Sequence, residues 1–464
     1  MPGETAETTP PPASFGPCGD EFADATPGQG DLMRRCGEPA PMASREVEVA
    51  GSRRWVPRRS GGFGWPRLLA AQSSAFLGDG LVLAAFPLLA VHISRSPSAV
   101  AGVGLAATLP QVLVALPAGV VTDGTDRRHT MAIAAVVAAA VLGVLALTLR
   151  VGIRDLALLD GAAFLVGATQ VLVSATGSAL MPQVAVGESL TRANARLFAA
   201  QHAVGSLFGP PMAGVLIAVA LDAPAWAAAG CYLAAATVLA SSARRMLSGR
   251  ATPARPWQDT LEGIAIVVQH VQLRTLMVMT AVANVASETV VVVLVLYAVA
   301  PGPLGLSKAG YGFLLSCFAI GGMVGASATG RLAHWLGRSG LLAAAVAAMA
   351  LGFAATAFVV NPFSAGVGLA LAGAGGGAYN VTTVTFRQRV LPEAALGRGT
   401  AAYRLVALGA VPLGAVLAGI SATLLGPRAS LLAAGAVALL AAAGLPFVTE
   451  SRLVAAENHA ALGG

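Results

Sequence analysis

Charge is the scarcest commodity in this chain of 464 residues, with Asp, Glu, Lys and Arg together making up 11%. A soluble domain carries about a quarter. Aromatic residues are also few, at 5%, whereas hydrophobic residues reach 56% and mean hydropathy is +0.73. No set of soluble cores buries that much apolar surface, which excludes most water-soluble enzymes and nucleic-acid-binding domains. The remaining solvent is a lipid bilayer. Lysine is nearly absent: Lys308 is the single one, and the other basic residues are arginines. Cysteine is sparse too. The four, at 18, 36, 231 and 317, have no metal-ligand or redox spacing. Two of them lie inside apolar runs and read as small hydrophobes. There is no Walker lysine motif, no HExxH run and no GxSxG elbow, so neither direct ATP use nor a familiar hydrolase chemistry is indicated, and no cofactor is expected.

What is present is a succession of apolar runs. Residues 1–60 stand apart, rich in Pro, Gly, Ala and Ser, acidic first and basic later. They read as a disordered cytoplasmic tail without the apolar stretch of a signal peptide, and Met42 offers an alternative start. Twelve spans are expected near 67–92, 98–121, 130–149, 156–178, 196–220, 224–242, 271–299, 308–330, 340–360, 363–385, 400–424 and 428–447. Each meets the roughly 20 helical residues that about 30 Å of hydrocarbon requires. Only Arg95, Arg150, Arg154, Lys308 and Arg428 of the 29 Lys and Arg fall in the outer loops if the N-terminus is cytoplasmic. The positive-inside rule therefore puts both termini in the cytoplasm. The expected organisation is a tail at 1–60, a six-helix bundle at 61–242, a cytoplasmic linker at 243–270, a second bundle at 271–449 and a tail at 450–464. In the linker, Arg244, Arg245, Arg250 and Arg255 precede an amphipathic stretch from Trp257 to His270 that suits the inner membrane surface.

Two loops recur. Gly119 and Arg127 return as Gly330 and Arg338 after 211 residues, and Leu190, Arg192 and Ala195 return as Leu396, Arg398 and Ala401 after 206. The second six helices thus read as a diverged copy of the first, an arrangement that places a transporter's site between the halves. Ionisable groups inside the runs are the natural candidates for function. Asp79 and Glu288 are separated by 209 residues, so they hold nearly equivalent places in the two copies. Facing one cavity, they would take and release protons as water access changes, or attract a cationic substrate. Gln201 and His202 sit early in the fifth span, where His202 is a titratable candidate and a satisfied buried histidine is the plainer reading; Gln111, Gln170, Asn284 and Asn380 are neutral candidates for the cavity lining. Interhelical hydrogen bonding is the plainer reading of each. Arg387, Arg389, Arg398 and Arg404 stand at inner span ends, where snorkelling accounts for them and a latch with acidic partners is the sharper alternative.

The loop Gly119-Val-Val-Thr-Asp123-Gly-Thr-Asp126-Arg127-Arg128 resembles the inner-loop signature of the major facilitator superfamily. Gly124 and Asp126 replace its usual Arg and Gly. The second copy keeps Gly330, Gly337 and Arg338, with His334 for the Asp. The resemblance gives these residues a gating role. Gly205, Gly209, Pro210 and Gly214 are similar to that family's antiporter signature, with Ala213 for one Gly. The segments around Asp79, Pro182 and 386–404 resemble the enterobactin-exporter and macrolide-efflux branch. The resemblance implies an all-α membrane protein of twelve transmembrane helices in two pseudo-symmetric six-helix bundles. It implies proton-coupled export of an antibiotic, siderophore or other secreted metabolite from a multi-pass cytoplasmic-membrane protein, with sodium as the other candidate ion. The expected partners are the small-molecule substrate, protons and the lipid bilayer; a monomer suffices and no nucleic acid is involved. A proton symporter importing a polar solute, or a membrane-embedded sensor or enzyme, would be the rival readings.

Overall fold

A computed structural model describes residues 64–462 except 116, 119–124, 185–189, 242–255 and 359. The expected tail at 1–60, Met42, Gly119, Asp123 and the linker arginines lie outside the described residues. The first five spans are α1 (Trp65–Ile93), α2 (Pro97–Thr108, continuing through Pro110–Leu113), α3 (Arg127–Arg150), α4 (Leu156–Val184) and α5 (Leu190–Ala200, Gln201–Phe208 and Gly209–Val219). They are followed by α6 (Ala223–Ala240) and, after a linker helix (Pro256–Gln269), by α7 (Val271–Ala298). An apolar stretch of 51 residues, Lys308–Phe358, turns through Gly337 at φ 69°. It therefore forms two rods, α8 (308–336) and α9 (338–358). Next come α10 (Pro362–Val390) and α11, which begins as Glu393–Gly409 and resumes at Val411. Gly426 at φ 82° parts α11 from α12. These corners need glycine, because left-handed backbone is costly for residues with a Cβ. Eight helices meet a strict length-and-hydropathy test for spanning. Splitting the two long stretches at their glycines, and adding the shorter α2 and the glycine-rich α10, gives twelve spans among the described residues.

Local signals start several of these helices close to the expected spans, whereas α5 and α11 begin earlier, at Leu190 and Glu393 rather than 196 and 400. Asp126 caps α3 by accepting from the backbone N–H groups of Arg128 and His129. Asn361 does the same for α10 through Phe363 N–H. Proline occupies the first turn of α1, α2, α6 and α10, where a missing N–H costs nothing. The outward faces are apolar: Val144, Leu158, Val215, Phe313, Leu351 and Leu413 are all exposed. In water such a belt would aggregate; in hydrocarbon it is the matched surface.

α1, α3, α4, α5 and α6 pack on one another in the first half, while α7 to α12 form the second. The halves meet along two seams, α5 with α8 and α2 with α11. Both seams depend on glycine. A methyl group added at Gly312 would lie 2.3 Å from the Pro210 carbonyl oxygen, and one at Gly214 would lie 2.4 Å from that of Lys308. One at Gly419 would lie 2.7 Å from Ala101 Cβ. These contacts gather toward the face opposite the terminal helix Glu450–Leu462, called the far face below, the other being the tail face. Arg95 adds to them by donating to the Ala300 carbonyl oxygen at 2.7 Å.

On the tail face, the helix Glu450–Leu462 clasps the second half. Glu450 accepts from the backbone N–H groups of Arg338 at 2.7 Å and Ser339 at 3.1 Å, and from Arg338 Nε at 2.8 Å. Glu457, seven residues on, takes Arg338 Nη1 and lies 3.6 Å from Arg389. The repeat-equivalent helix starts are thus capped differently. α3 has its own Asp126, whereas α9 has Gly337 in that place and borrows a carboxylate from the terminal helix. Burial pushes the Glu450 carboxyl up, but the donors from Arg338 and Ser339 outweigh it and hold it below the usual carboxylate range. Its contribution to stability is therefore complete above the unfolded value and is lost as pH falls through the lower folded one. Glu450→Gln is expected to lower the free energy of unfolding by about the 1 kcal/mol typical of a lost cap, and the thermal midpoint with it. The loss should vanish in strong acid. Thermal unfolding in detergent, followed by exposure of the partly buried thiols Cys231 and Cys317, measures both.

Candidate functional site

A cavity of about 300 Å³ lies between the halves, lined by α1, α2, α4 and α5 on one side and by α7 and α11 on the other. Its polar lining consists of Asp79, Thr108, Gln111, Gln170, Gln201, Ser206 and Glu288; its apolar lining includes Phe76, Phe86 and several valines. No Lys, Arg or His is among the lining residues. The cavity is therefore a mostly apolar space carrying two carboxyls and a few amides, which suits a solute that is apolar with one or two polar points.

The two carboxyls are held differently. Tyr232 of α6 donates its hydroxyl to Asp79 Oδ1. Gln170 of α4 donates in turn to the Tyr232 hydroxyl at 3.3 Å. The Tyr232 ring reaches this position because α1 has glycine at 78: a methyl group there would meet the ring at 3.0 Å. Glu288, by contrast, has no hydrogen-bond or ion partner among the described residues. It lies against glycines of two neighbours. A methyl group at Gly414 of α11 would sit 2.7 Å from Glu288 Cβ, and one at Gly104 of α2 would sit 3.8 Å from Glu288 Oε1.

The antiporter-like signature of α5 divides between two neighbours. Gly205 and Gly209 face α1, where a methyl group at Gly80 would lie 1.9 Å from the Gly205 carbonyl oxygen and one at Gly209 would lie 2.5 Å from Gly80 Cα. Pro210 and Gly214 face α8. The segment just before Pro210, Gln201–Phe208, is π-helical, a form common where a helix serves a site. Pro211 has no N–H for the carbonyl of Leu207 one turn back. That carbonyl oxygen accepts instead from Ser316 Oγ of α8 at 2.7 Å. The proline pair thus frees an acceptor that ties one half to the other. The second copy mirrors the α1–α5 contact: Thr289 Oγ1 of α7 donates to the Gly414 carbonyl oxygen of α11 at 3.0 Å.

Of the residues singled out in the sequence, Asp79, Glu288, Gln111, Gln170 and Gln201 meet in the cavity. Gln111 Oε1 is buried there without a hydrogen-bond partner. Asn284 and Asn380 are not in the lining: Asn284 donates to the Ala407 carbonyl oxygen at 2.7 Å, joining α7 to α11, and Asn380 is exposed. The His202 ring lies against that of Phe198, with centroids 4.0 Å apart and planes tilted by 31°. Arg127 and Arg128 form the first turn of α3 behind Asp126. Gly330 is exposed with open space about it, and Arg338 serves the terminal helix. Where α10 passes to α11, Arg398 pairs with Glu262 of the linker helix. Arg387 is buried over the Tyr403 ring at 4.4 Å, and Arg404 is exposed. Two residues escaped the sequence reading. Tyr232 is one of only five tyrosines in the chain, a rarity that is the one available signal. Asp160 lies early in α4 with Oδ1 buried and unpartnered beside Gly102 of α2; its place within an apolar run was the missed cue.

Comparison with known proteins supplies the class. The family model described as transmembrane secretion effector matches residues 55–462. The multidrug efflux pump Tap of Mycolicibacterium fortuitum is 28% identical over 383 residues, covering 79% of this chain and 91% of that protein. An MFS-type transporter of Sinorhizobium fredii, y4rN, is 28% identical over 363 residues, covering 77% and 87%. Among solved structures, a mutant of the nucleoside transporter NupG aligns with a TM-score of 0.70 at 11% identity, over 83% of this chain and all of that one. A bacterial homologue of the iron transporter ferroportin, in an inward-facing state, aligns at 0.57 and 19% identity, over 81% and 97%. Twelve helices in two related bundles, a cavity between them and a family match over nearly all the described residues converge on one statement: the chain belongs to the transmembrane secretion effector family of the major facilitator superfamily, whose members are membrane transporters.

Proposed function

We propose that the chain exports a hydrophobic or amphiphilic small molecule across the cytoplasmic membrane by alternating access, driven by proton entry. The observation that carries this reading is the cavity itself. Two carboxyls from equivalent positions of the two copies face one largely apolar space that holds no basic side chain. A protonatable pair of this kind can trade protons against a solute as the cavity changes sides. The glycine seams at the far face and the antiporter-like signature support an exporter. So does a relative whose name is multidrug efflux pump. The bias of basic residues supports cytoplasmic tails, and with them a cavity that loads from the cytoplasm.

Inside-out vesicles from an efflux-deficient host test this directly. The expected result is that acidifying the vesicle lumen drives accumulation of the fluorescent lipophilic cation ethidium in vesicles containing the chain. A proton ionophore should abolish it, and a sodium gradient should not replace the proton gradient. Uptake of a polar solute together with protons, in the inward direction, would overturn the proposal in favour of a symporter.

A further inference from the structure

We infer that the two carboxyls divide the work: Glu288 carries the coupled proton, Asp79 is the fixed anion that receives a cationic substrate, and Tyr232 is the positioning residue that keeps Asp79 in that role. The inference rests on the proton-driven export proposed above and assigns its parts.

The assignment follows from what touches each group. Asp79, Tyr232 and Gln170 all belong to the first half, on α1, α6 and α4. The hydrogen bonds run one way, from the Gln170 amide to the Tyr232 hydroxyl to the carboxylate. A hydroxyl that already accepts from Gln170 points its own hydrogen at Asp79, and a charge-assisted bond of this kind serves the ionised carboxylate. Because all three side chains ride on one bundle, the arrangement survives rocking of the halves. It offers an anion of constant geometry at the cavity wall, with Phe76 and Phe86 nearby to receive the apolar part of a cation.

Glu288 is the opposite case. No described residue donates to it, and it lies where the halves meet. Its carboxyl faces Gly104 across the seam, and a methyl group at Gly104 would press on Val292 of the same α7 at 2.7 Å. Gly104 of α2 and Gly414 of α11 lie against it, Val103 and Val411 share its cavity lining, and the buried Tyr311 of α8 is near enough to feel its charge. Tyr311 is fully buried and its hydroxyl has no partner. Asp79 is the other acid in the lining. Arg95 and Lys308 are the cations of the neighbouring far loops.

A charge without a donor in such surroundings is costly. In the closed seam Glu288 therefore holds its proton. When a cation settles on Asp79, its positive charge favours ionisation of Glu288, and the proton leaves into the cavity water on the tail side. The closed seam then encloses an unsolvated carboxylate, and parting α2 from α7 and α11 hydrates it. The cation departs to the far side, Glu288 takes a proton from the water there, and the seam closes over the neutral group. One proton enters for each such exit.

Reaction with dicyclohexylcarbodiimide, which modifies protonated carboxyls in apolar sites, tests the division without any transported compound. The full chain in proteoliposomes at neutral pH is treated, digested and mapped by mass spectrometry. Label on Glu288 is expected to exceed label on Asp79 by about tenfold, the margin that one charge-assisted hydrogen bond provides. Y232F should bring label to Asp79 while leaving Glu288 unchanged. Gln170→Leu, which leaves the Tyr232 hydroxyl in place, should do the same more weakly and guards against misfolding of the first variant. Equal label on both acids, or label on Asp79 alone in the wild-type protein, overturns the assignment. Because labelling needs no substrate, it can fail while the export experiment succeeds, and the reverse.

Discussion

Leucine in place of Gly80 is expected to leave no folded protein in the membrane. The first carbon of any side chain at this position would sit 1.9 Å from the Gly205 carbonyl oxygen, 2.8 Å from its carbon and 3.0 Å from Gly209 Cα. All three are backbone atoms, so no rotamer change relieves the clash, and α1 would have to leave α5. Overpacking a core usually costs about 1–3 kcal/mol through side-chain shifts; here the obstacle is a helix backbone, and the cost should exceed that range. Separating α1 from α5 also breaks one wall of the cavity. Gly230 and Gly161 are the controls, since a methyl group at either meets nothing within 4 Å. The yield and size-exclusion profile of detergent-extracted protein should collapse for Gly80→Leu and stay at wild type for Gly230→Ala and Gly161→Ala. A monodisperse Gly80→Leu protein would contradict the contact between the two helices.

The second large effect concerns transport itself. Asp79→Asn keeps an oxygen acceptor for Tyr232 but removes the charge, so export of a lipophilic cation should fall to the level of empty vesicles. Glu288→Gln keeps the shape of the side chain and removes the titration. Net movement driven by a proton gradient should be lost, and exchange of labelled for unlabelled cation across vesicles without a gradient should be lost with it, because a neutral side chain gives no buried carboxylate whose hydration parts the seam. Each loss is expected to exceed tenfold, since a buried or cavity-facing charge contributes more than the 1.4 kcal/mol that corresponds to one decade. Tyr232→Phe should be milder: the carboxylate remains, and the apparent affinity for the cation should weaken more than the maximal rate. Gradient-driven export that is unchanged in Glu288→Gln would remove that residue from coupling.

Most of the architecture was legible before any coordinates, and for a physical reason. In a bilayer every backbone polar group must be satisfied within its own helix, so long apolar runs translate almost directly into spans. The corners at Gly337 and Gly426 fall in the gaps between the expected spans 308–330 and 340–360 and between 400–424 and 428–447, although their left-handed backbone was visible only in the structure. The pairing of Asp79 with Glu288 could be read from their equal spacing in the two copies, and the structure places both in one cavity. What composition and spacing could not reveal is direction. Asn284 and Gln170 look alike in the sequence, yet Asn284 turns to the Ala407 carbonyl of its own half while Gln170 turns to Tyr232 beside the cavity. Helical periodicity in a protein with lipid on the outside and a cavity within gives little contrast between faces. Tyr232 was silent for the same reason, since its role depends on a glycine of α1 that lies 154 residues earlier. Arg338 was read through its loop, whereas its partners lie on a helix beyond the last span.

That last contact bears on how the protein is made. The carboxylate that completes the start of α9 follows it by 112 residues, so ribosomal synthesis delivers the hairpin of α8 and α9 long before its cap. During that interval the N–H groups of Arg338 and Ser339 must be satisfied by water or headgroups, and this corner of the second bundle becomes settled only after α12 has been inserted. An affinity tag or reporter joined close to Leu462 would therefore disturb the last stage of assembly more than an equal addition placed elsewhere on the surface.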